Sequence, residues 1–188
     1  MPRVKLFDRE KAVKAAMELF WQKGYASTSL SDLTGHLGIG KGSFYATFKS
    51  KENLFNECIK IYTGSNFPFL DQVLQSEKDY KQGLRKLLEG YVLGLTSDEK
   101  RKGCFMANSC ALADGDKTSL EKTINEHYKR IENYLVLYLE NQGVNSPKAK
   151  SVAATMVTFL IGMSQQSKIN GDSSSYLSTV GNLIRLLD

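Results

Sequence analysis

Residues 28–54 read TSLSDLTGHLGIGKGSFYATFKSKENL, and the fold can be worked out from this stretch. Its three leucines, at positions 30, 33 and 37, recur at steps of three and four residues, which places them on one face of a short helix. Ser29 or Ser31 can cap the start of that helix. Gly38 stands where a left-handed residue usually closes a helix, a conformation that glycine adopts without steric cost.

A second short helix is predicted directly after Gly38. Phe44 and Phe48 lie one turn apart and therefore share a buried face, while the residues between them are polar or small. Ser50 can cap a third helix that begins at Lys51. Two short helices joined by a glycine-containing turn, apolar inside and polar outside, predict a helix-turn-helix.

The net charge of the chain is concentrated on the same segment. Residues 1–51 hold nine Lys or Arg and four Asp or Glu, a net charge of +5, which equals the net charge of the whole chain. Residues 52–188 hold the other sixteen of each sign. A positive excess located on a helix-turn-helix indicates a surface that faces phosphates.

The rest of the chain shows helical periodicity and no strand pattern. Apolar residues recur at steps of three and four within residues 8–23, 79–96, 118–142 and 147–167, and again after residue 175. We therefore predict an all-α fold. It comprises an N-terminal three-helix DNA-binding domain at residues 1–51 and a C-terminal helical domain for ligand binding and dimerisation at residues 52–188.

Composition and motifs argue against several other classes of protein. No apolar run approaches the roughly 18 residues of a membrane span, and the charged N-terminus lacks the apolar core of a signal peptide. Three cysteines among 188 residues fit a reducing cytoplasm better than a disulfide framework. Phosphate-loop, dinucleotide-binding and HExxH motifs are absent from the sequence, so we expect no enzyme activity, no cofactor and no metal site.

Two segments carry a family resemblance. KGSFYATFKSKENLF, residues 41–55, closely follows the usual run Lys-Gly-small-apolar-Tyr-x-x-Phe-x-Ser-Lys-Glu-x-Leu of TetR-type transcriptional regulators. AMELFWQKGYASTSL, residues 16–30, resembles the first helix of that family and the turn after it. The resemblance covers about residues 7–55 and implies a dimeric regulator, most often a repressor, that an effector releases from double-stranded operator DNA.

The resemblance also implies which residues meet DNA. The second helix of the motif would enter the major groove, with some side chains at the DNA backbone and others at base edges. Gly40 departs from the family, which usually has a capping serine there. The backbone contacts are predicted at Thr28, Lys41, Gly42, Tyr45, Lys49 and Lys51, and the base-edge contacts at Ser43, Ala46 and Thr47.

The last two helices are expected to form the dimer, because the corresponding helices of the family pair in this way. Each is apolar over more than one face, which exceeds what packing against a single neighbour requires. The alternative is that both helices are buried within their own subunit. The interface residues predicted from the spacing are Val152, Met156, Phe159, Met163, Tyr176, Val180, Leu183 and Leu187.

The C-terminal domain should hold the site for a small-molecule effector. We expect its aromatic side chains and one cysteine to line a cavity, whereas Trp21 is better interpreted as a core or boundary aromatic. The predicted effector or sensor residues are Cys104, Tyr62, Tyr91, Phe105, Tyr128 and Phe159.

Two alternatives to a regulator with a reversible ligand remain open. Cys104 follows the basic run 100–102 and begins a predicted helix, and both features favour the reactive thiolate. Such a thiol would make the protein a sensor of electrophiles or oxidants with the same fold. From a different class, the helical head could bind a protein partner instead of DNA.

Overall fold

The computed structural model describes residues 8–64, 66–110 and 119–187, and describes residues 66, 67 and 119 by their backbone alone. The all-α prediction is confirmed for these residues, which contain helices and no strands. The helices are α1 (Arg9–Lys23), α2 (Leu30–Leu37), α3 (Lys41–Phe48), α4 (Lys51–Gly64), α5 (Asn66–Gln75), α6 (Tyr80–Thr96), α7 (Phe105–Ser109), α8 (Ser119–Asn141), α9 (Ser146–Ser167) and α10 (Ser173–Arg185).

The ends of the N-terminal helices follow the local chemistry of the sequence. Ser29 caps α2 in a capping box with Asp32, which settles the choice between the two serines. Gly38 closes α2 in the left-handed conformation, with φ 64° and ψ 32°. Ser50 accepts a hydrogen bond from the backbone N–H of Asn53 at 3.0 Å and so caps α4. Gly40 precedes α3 without a side-chain cap, as expected for glycine at that position.

At the C-terminal end of the chain, one cap differs from the expectation. Asn145, not Ser146, is the cap of α9, because its side-chain oxygen accepts from the backbone N–H of Lys148. Pro147 therefore lies one residue further into the helix, where its missing N–H is still an unpaired position.

Two hydrophobic clusters organise the molecule. The head cluster joins buried residues of α1 to α4 with Phe105 and Met106 of α7 and Leu120 and Ile124 of α8. The body cluster joins α5, α6, α8, α9 and α10. Side chains of α4 from Leu54 to Tyr62 belong to the head cluster, although the predicted boundary between residues 51 and 52 assigns them to the C-terminal domain.

The head and body are joined at the inner side of α1 and α4. Trp21 of α1 packs edge-on against Tyr62 of α4 and Phe105 of α7, with ring centroids 5.3 and 5.7 Å apart. Lys102 bonds the carboxylate of Glu18 on α1 at 3.1 Å. The orientation of the helix-turn-helix is thus set by contacts with the segment that leads into α7.

Candidate functional site

The exposed face of α3 is built on two buried phenylalanines. Phe44 and Phe48 are at most 1% exposed and hold the inner side of α3 against the head cluster. The outer side is left to short or flexible polar groups, and the Tyr45 side chain is 51% exposed. The predicted contacts on this outer side are Lys41, Gly42, Ser43, Tyr45, Ala46 and Lys49, which are exposed, and Thr47, which is half-buried.

The C-terminal end of α3 has an unusual backbone. Lys49 has φ 68° and ψ −48°, and the N–H of Ser50 donates to the carbonyl of Phe48 at 2.8 Å across it. This is a γ-turn with a positive φ, a rare and strained conformation for a residue with a side chain. The ammonium of Lys49 donates to the carbonyl of Ala46 at 3.2 Å, which holds its charge beside the exposed face.

Two residues predicted to contact the DNA backbone instead donate hydrogen bonds to backbone carbonyls of the head. Thr28 is fully buried, and its hydroxyl donates to the carbonyl of Gly24 at 2.6 Å, so its side chain is not available to a phosphate in this conformation. The half-buried Lys51 donates to the carbonyls of Tyr25 and Thr28 at 3.0 and 3.1 Å.

Lys51 also lies over the ring of Tyr25, with its nitrogen 4.2 Å from the centroid. Burial lowers the pKa of this ammonium. Because its hydrogen bonds go to the turn between α1 and α2, we assign Lys51 to bracing the motif rather than to a free phosphate contact.

A cavity of about 400 Å³ lies where the head meets the body. Four of the six predicted effector residues line it: Tyr62, Tyr91, Cys104 and Tyr128. Phe105 is buried behind this wall in the head cluster, and Phe159 packs on the body cluster instead. The other residues that line the cavity are Trp21, Phe69, Leu70, Leu87, Gly90, Gly94, Leu95, Gly103, His127, Ile131 and Leu160.

Cys104 is surrounded by hydroxyl groups. The hydroxyl of Tyr62 donates to its sulfur at 3.3 Å, and its backbone N–H donates to the hydroxyl of Ser164 at 2.7 Å. Burial, reinforced by the neighbouring thiol, raises the pKa of Tyr62 and of Tyr91 well above the usual range. These tyrosines are therefore neutral hydrogen-bond donors near neutral pH.

Two of the three cations that precede Cys104 have partners other than its thiol. The ammonium of Lys102 bonds Glu18 and lies 4.6 Å from the centroid of the Trp21 ring. The guanidinium of Arg101 donates to the carbonyl of Ile169 at 3.4 Å. With these two cations engaged elsewhere, the local partners of the sulfur are tyrosine hydroxyls.

Sequence profiles of known families match most of the chain. Residues 12–58 match the bacterial regulatory proteins of the tetR family. Residues 81–182 match the C-terminal domain of LmrA/YxaF-like transcriptional regulators. The chain belongs to the TetR family. It is accordingly a DNA-binding transcriptional regulator, and the prediction of fold and function class is confirmed.

Individual relatives agree with this assignment. The transcriptional repressor ComR of Escherichia coli is 28% identical over 190 residues, covering 98% of this chain and 90% of ComR. The regulator YezE of Bacillus subtilis is 31% identical over 134 residues, covering 71% and 69% of the two chains. A cysteine mutant of the TetR-family regulator CifR, solved with a 26-bp double-strand operator DNA, has a TM-score of 0.83 and 28% identity, covering 97% and 98%.

Most of the residues predicted for the TetR-type dimer interface are buried within the subunit itself. Val152, Met156, Met163, Tyr176, Val180 and Leu187 are at most 7% exposed and belong to the body cluster, while Phe159 and Leu183 are half-buried against it. The six buried side chains have no surface left for a second subunit, whereas Phe159 and Leu183 are partly accessible. The regular spacing identified the inner face of each helix, because the most continuous apolar stripe packs on the subunit's own core.

The outer face of α9 carries small side chains instead. Ser151, Thr155, Thr158 and Gly162 are exposed and follow one another at steps of four, three and four residues. At the ends of α9 and α10, Ile169 and Leu186 are 83% and 82% exposed. Spacing alone gave no signal for this face, since its residues are neither strongly apolar nor charged.

His127 is a cavity residue that the sequence analysis did not identify. It lies on α8, is only 6% exposed and lines the cavity beside the ring of Tyr128. Burial, together with the positive charge of Arg130, lowers the pKa of His127 to about 4. A single histidine on an amphipathic helix carries no sequence motif, so only the packing reveals it.

Trp21, expected at a core or boundary position, also lines the cavity. None of the helices within the described ranges is long and apolar enough to cross a membrane.

Proposed function

We propose that the protein is a homodimeric repressor that acts in the cytoplasm and binds double-stranded operator DNA through the exposed face of α3. A small molecule in the cavity releases it from the operator. The main support for this DNA-binding surface is the division of α3 into two faces. Phe44 and Phe48 bury one face, and the other is polar and exposed. This face lies within the segment that holds the net positive charge of the chain.

The exposed groups of α3 suit both parts of DNA recognition. Lys41 and Lys49 stand at its two ends, where ammonium groups neutralise phosphates. Tyr45 can donate its hydroxyl to a phosphate oxygen. Ser43 and Ala46 occupy the centre of the exposed face, where side chains of a recognition helix reach base edges.

A dimer would form through the outer faces of α9 and α10. The small side chains along α9 allow a second helix to approach closely, and they are not needed for the subunit's own core. A two-fold dimer presents two copies of α3 to successive major grooves, about 34 Å apart along the DNA. The operator would then be an inverted repeat.

The cavity is connected to both the head and the proposed dimer helices. The indole N–H of Trp21 donates to the carbonyl of Gly103 at 3.1 Å, which ties α1 to the cavity wall. The next residue, Cys104, bonds Ser164 of α9. A ligand that displaces Trp21 or Cys104 changes the position of α1 relative to α9, and therefore the distance between the two reading helices of a dimer.

Selection of bound duplexes from a random-sequence pool tests this function. We expect enrichment of an inverted repeat whose half-site centres are about one helical turn apart. Enrichment of an asymmetric single site would contradict the dimeric arrangement. Failure to enrich any sequence at low salt, with folded protein, would instead favour the alternative in which the head binds a protein partner.

Covalent sensing at Cys104 is the second candidate, because its thiol lines the cavity and accepts a hydrogen bond from Tyr62. A quinone would add at the sulfur: a carbon–sulfur bond forms and the thiol proton passes to one quinone oxygen. The hydrogen on the attacked ring carbon then moves as a proton to the other oxygen, which gives a hydroquinone thioether. Operator binding is measured with and without benzoquinone for wild type, Cys104→Ser and the matched control Cys110→Ser. Sensing predicts that wild type and Cys110→Ser release DNA while Cys104→Ser does not. Equal behaviour of all three proteins would exclude it.

A further inference from the structure

The polar groups that line the cavity are almost all engaged with other protein groups. Tyr62 donates to the thiol of Cys104, and Tyr91 interacts with the same thiol and with Ser164. Tyr128 is hydrogen-bonded to the thiol of Cys110, and burial raises its pKa well above the usual range. The indole N–H of Trp21 is likewise satisfied by a backbone carbonyl. The donor groups of Tyr62 and Trp21 are therefore already in use.

His127 is the exception. Its side chain is 6% exposed and lines the cavity, and within residues 8–64, 66–110 and 119–187 its ring nitrogens have no hydrogen-bond partner. Its neighbours are the Tyr128 ring, 5.2 Å away between centroids, and the charge of Arg130, which opposes protonation. Because His127 lines the cavity, a ligand there can hydrogen-bond its imidazole.

The other residues that line the cavity favour an uncharged ligand. Among the side chains that the structure describes, no Lys, Arg, Asp or Glu lines the cavity. Aromatic rings from five helices supply most of the surface together with aliphatic residues; they are those of Trp21, Tyr62, Phe69, Tyr91 and Tyr128. A charged ligand would lose its hydration here without gaining an opposite charge.

We propose that the cavity binds an uncharged aromatic molecule bearing one hydrogen-bonding group, such as a phenol hydroxyl, and that His127 bonds this group. The inference rests on the proposed role of the cavity as the effector site and names the chemical class of the effector. The aromatic body packs among the rings of the wall, where offset and edge-to-face contacts are favourable. The imidazole selects molecules with a polar group over those without one.

Three matched probes separate the contributions of shape, hydrogen bonding and charge. They are 4-ethylphenol, ethylbenzene and 4-ethylbenzoate, which are respectively neutral and hydroxylated, neutral and apolar, and anionic at neutral pH. Calorimetry measures affinity, and the fluorescence of Trp21, the only tryptophan of the chain, reports whether the probe is in the cavity. We expect 4-ethylphenol to bind about fivefold more tightly than ethylbenzene and about a hundredfold more tightly than 4-ethylbenzoate.

Variants of His127 assign the preference to this residue. His127→Phe should bind 4-ethylphenol and ethylbenzene equally, whereas His127→Gln, which keeps a hydrogen-bonding group, should retain a preference for the phenol. The matched control is His36→Phe, at the exposed histidine of α2, which should behave as wild type.

The proposal is overturned if 4-ethylbenzoate binds as tightly as 4-ethylphenol, if no probe changes Trp21 fluorescence, or if His127→Phe keeps the wild-type preference. Operator binding is measured on the same preparations without any probe. If the operator is bound but the probe preference is absent, the ligand class is wrong while the DNA-binding function stands. If the operator is not bound, the proposed function itself fails.

Discussion

At the scale of single residues, the polar side chains of the helix-turn-helix divide into those that reach solvent and those that bond the head itself. Lys41 and Tyr45 are exposed as the family pattern implies. Thr28 and Lys51 match the same pattern yet bond backbone carbonyls inside the head. A motif fixes residue types along a helix, whereas the partner of a flexible ammonium depends on turns that pack against it, and these are not encoded in the local spacing.

This difference gives opposite expectations for two lysines. Lys41→Ala should weaken binding to all duplexes and lower the slope of log affinity against log salt by about one per subunit, with unfolding unchanged. Lys51→Ala should lower the free energy of unfolding by about 1–2 kcal/mol, because two charged hydrogen bonds to the turn are lost. Anisotropy titrations at several salt concentrations and urea unfolding measure both effects. An unchanged stability of Lys51→Ala would contradict its bracing role.

His127 gives a prediction on pH. Its pKa is lowered from 6.5 in the unfolded chain to about 4 in the folded chain. The free energy of unfolding is therefore highest above pH 6.5 and decreases as the pH falls from 6.5 towards 4. As the pH falls between these two pKa values, the free energy of unfolding of wild type should decrease relative to that of His127→Gln, by at most about 1.4 kcal/mol per pH unit. Urea unfolding at a series of pH values measures the difference. Identical pH dependence in the two proteins would show that the imidazole is not held neutral by its surroundings.

At the scale of helices, the ends were more predictable than the faces. Gly38 and Ser50 mark helix ends in the sequence and do so in the structure. The apolar stripe of α9 was also found, but Met156 and Met163 face the subunit's own core instead of a second subunit. A stripe shows that a face is buried and not what buries it, since both kinds of packing require the same spacing.

The end of α3 carries a prediction that separates stability from function. Lys49 holds a positive φ within a γ-turn, which glycine adopts with less strain. Lys49→Gly should raise the free energy of unfolding by about 1 kcal/mol and weaken operator binding, because the charge beside the exposed face is lost. Lys41→Ala is the control, as it removes a charge without relieving strain. A destabilised Lys49→Gly would mean that the γ-turn does not strain the folded chain.

At the scale of the whole molecule, the proposed operator binding depends on a dimer that presents two reading helices. The outer face of α9 is exposed in the subunit, so it can be changed without disturbing the core. Phe159→Glu is a less clear test, because Phe159 packs against the body cluster.

Thr158→Arg tests the dimer directly. It places a long charged side chain at the centre of the small-residue face, where it prevents a second helix from approaching and would leave a buried, unpaired charge. Sedimentation should show a folded monomer that no longer binds an inverted repeat. Leu137→Arg, at a 61% exposed leucine of α8, is the matched control and should remain dimeric. If Thr158→Arg sediments as wild type, the outer face of α9 is not the interface.

The proposed contact between the exposed face of α3 and operator DNA can be tested by the affinity of Tyr45→Ala for the selected operator. The side chain is 51% exposed and contacts the Phe44 ring edge-on at 5.7 Å, so its removal should leave the fold intact. We predict an affinity loss of about tenfold or more, since a hydrogen bond to a charged phosphate is lost in each subunit. Leu137→Ala should bind as wild type. Undiminished operator affinity of a folded Tyr45→Ala dimer would contradict the proposed docking of α3.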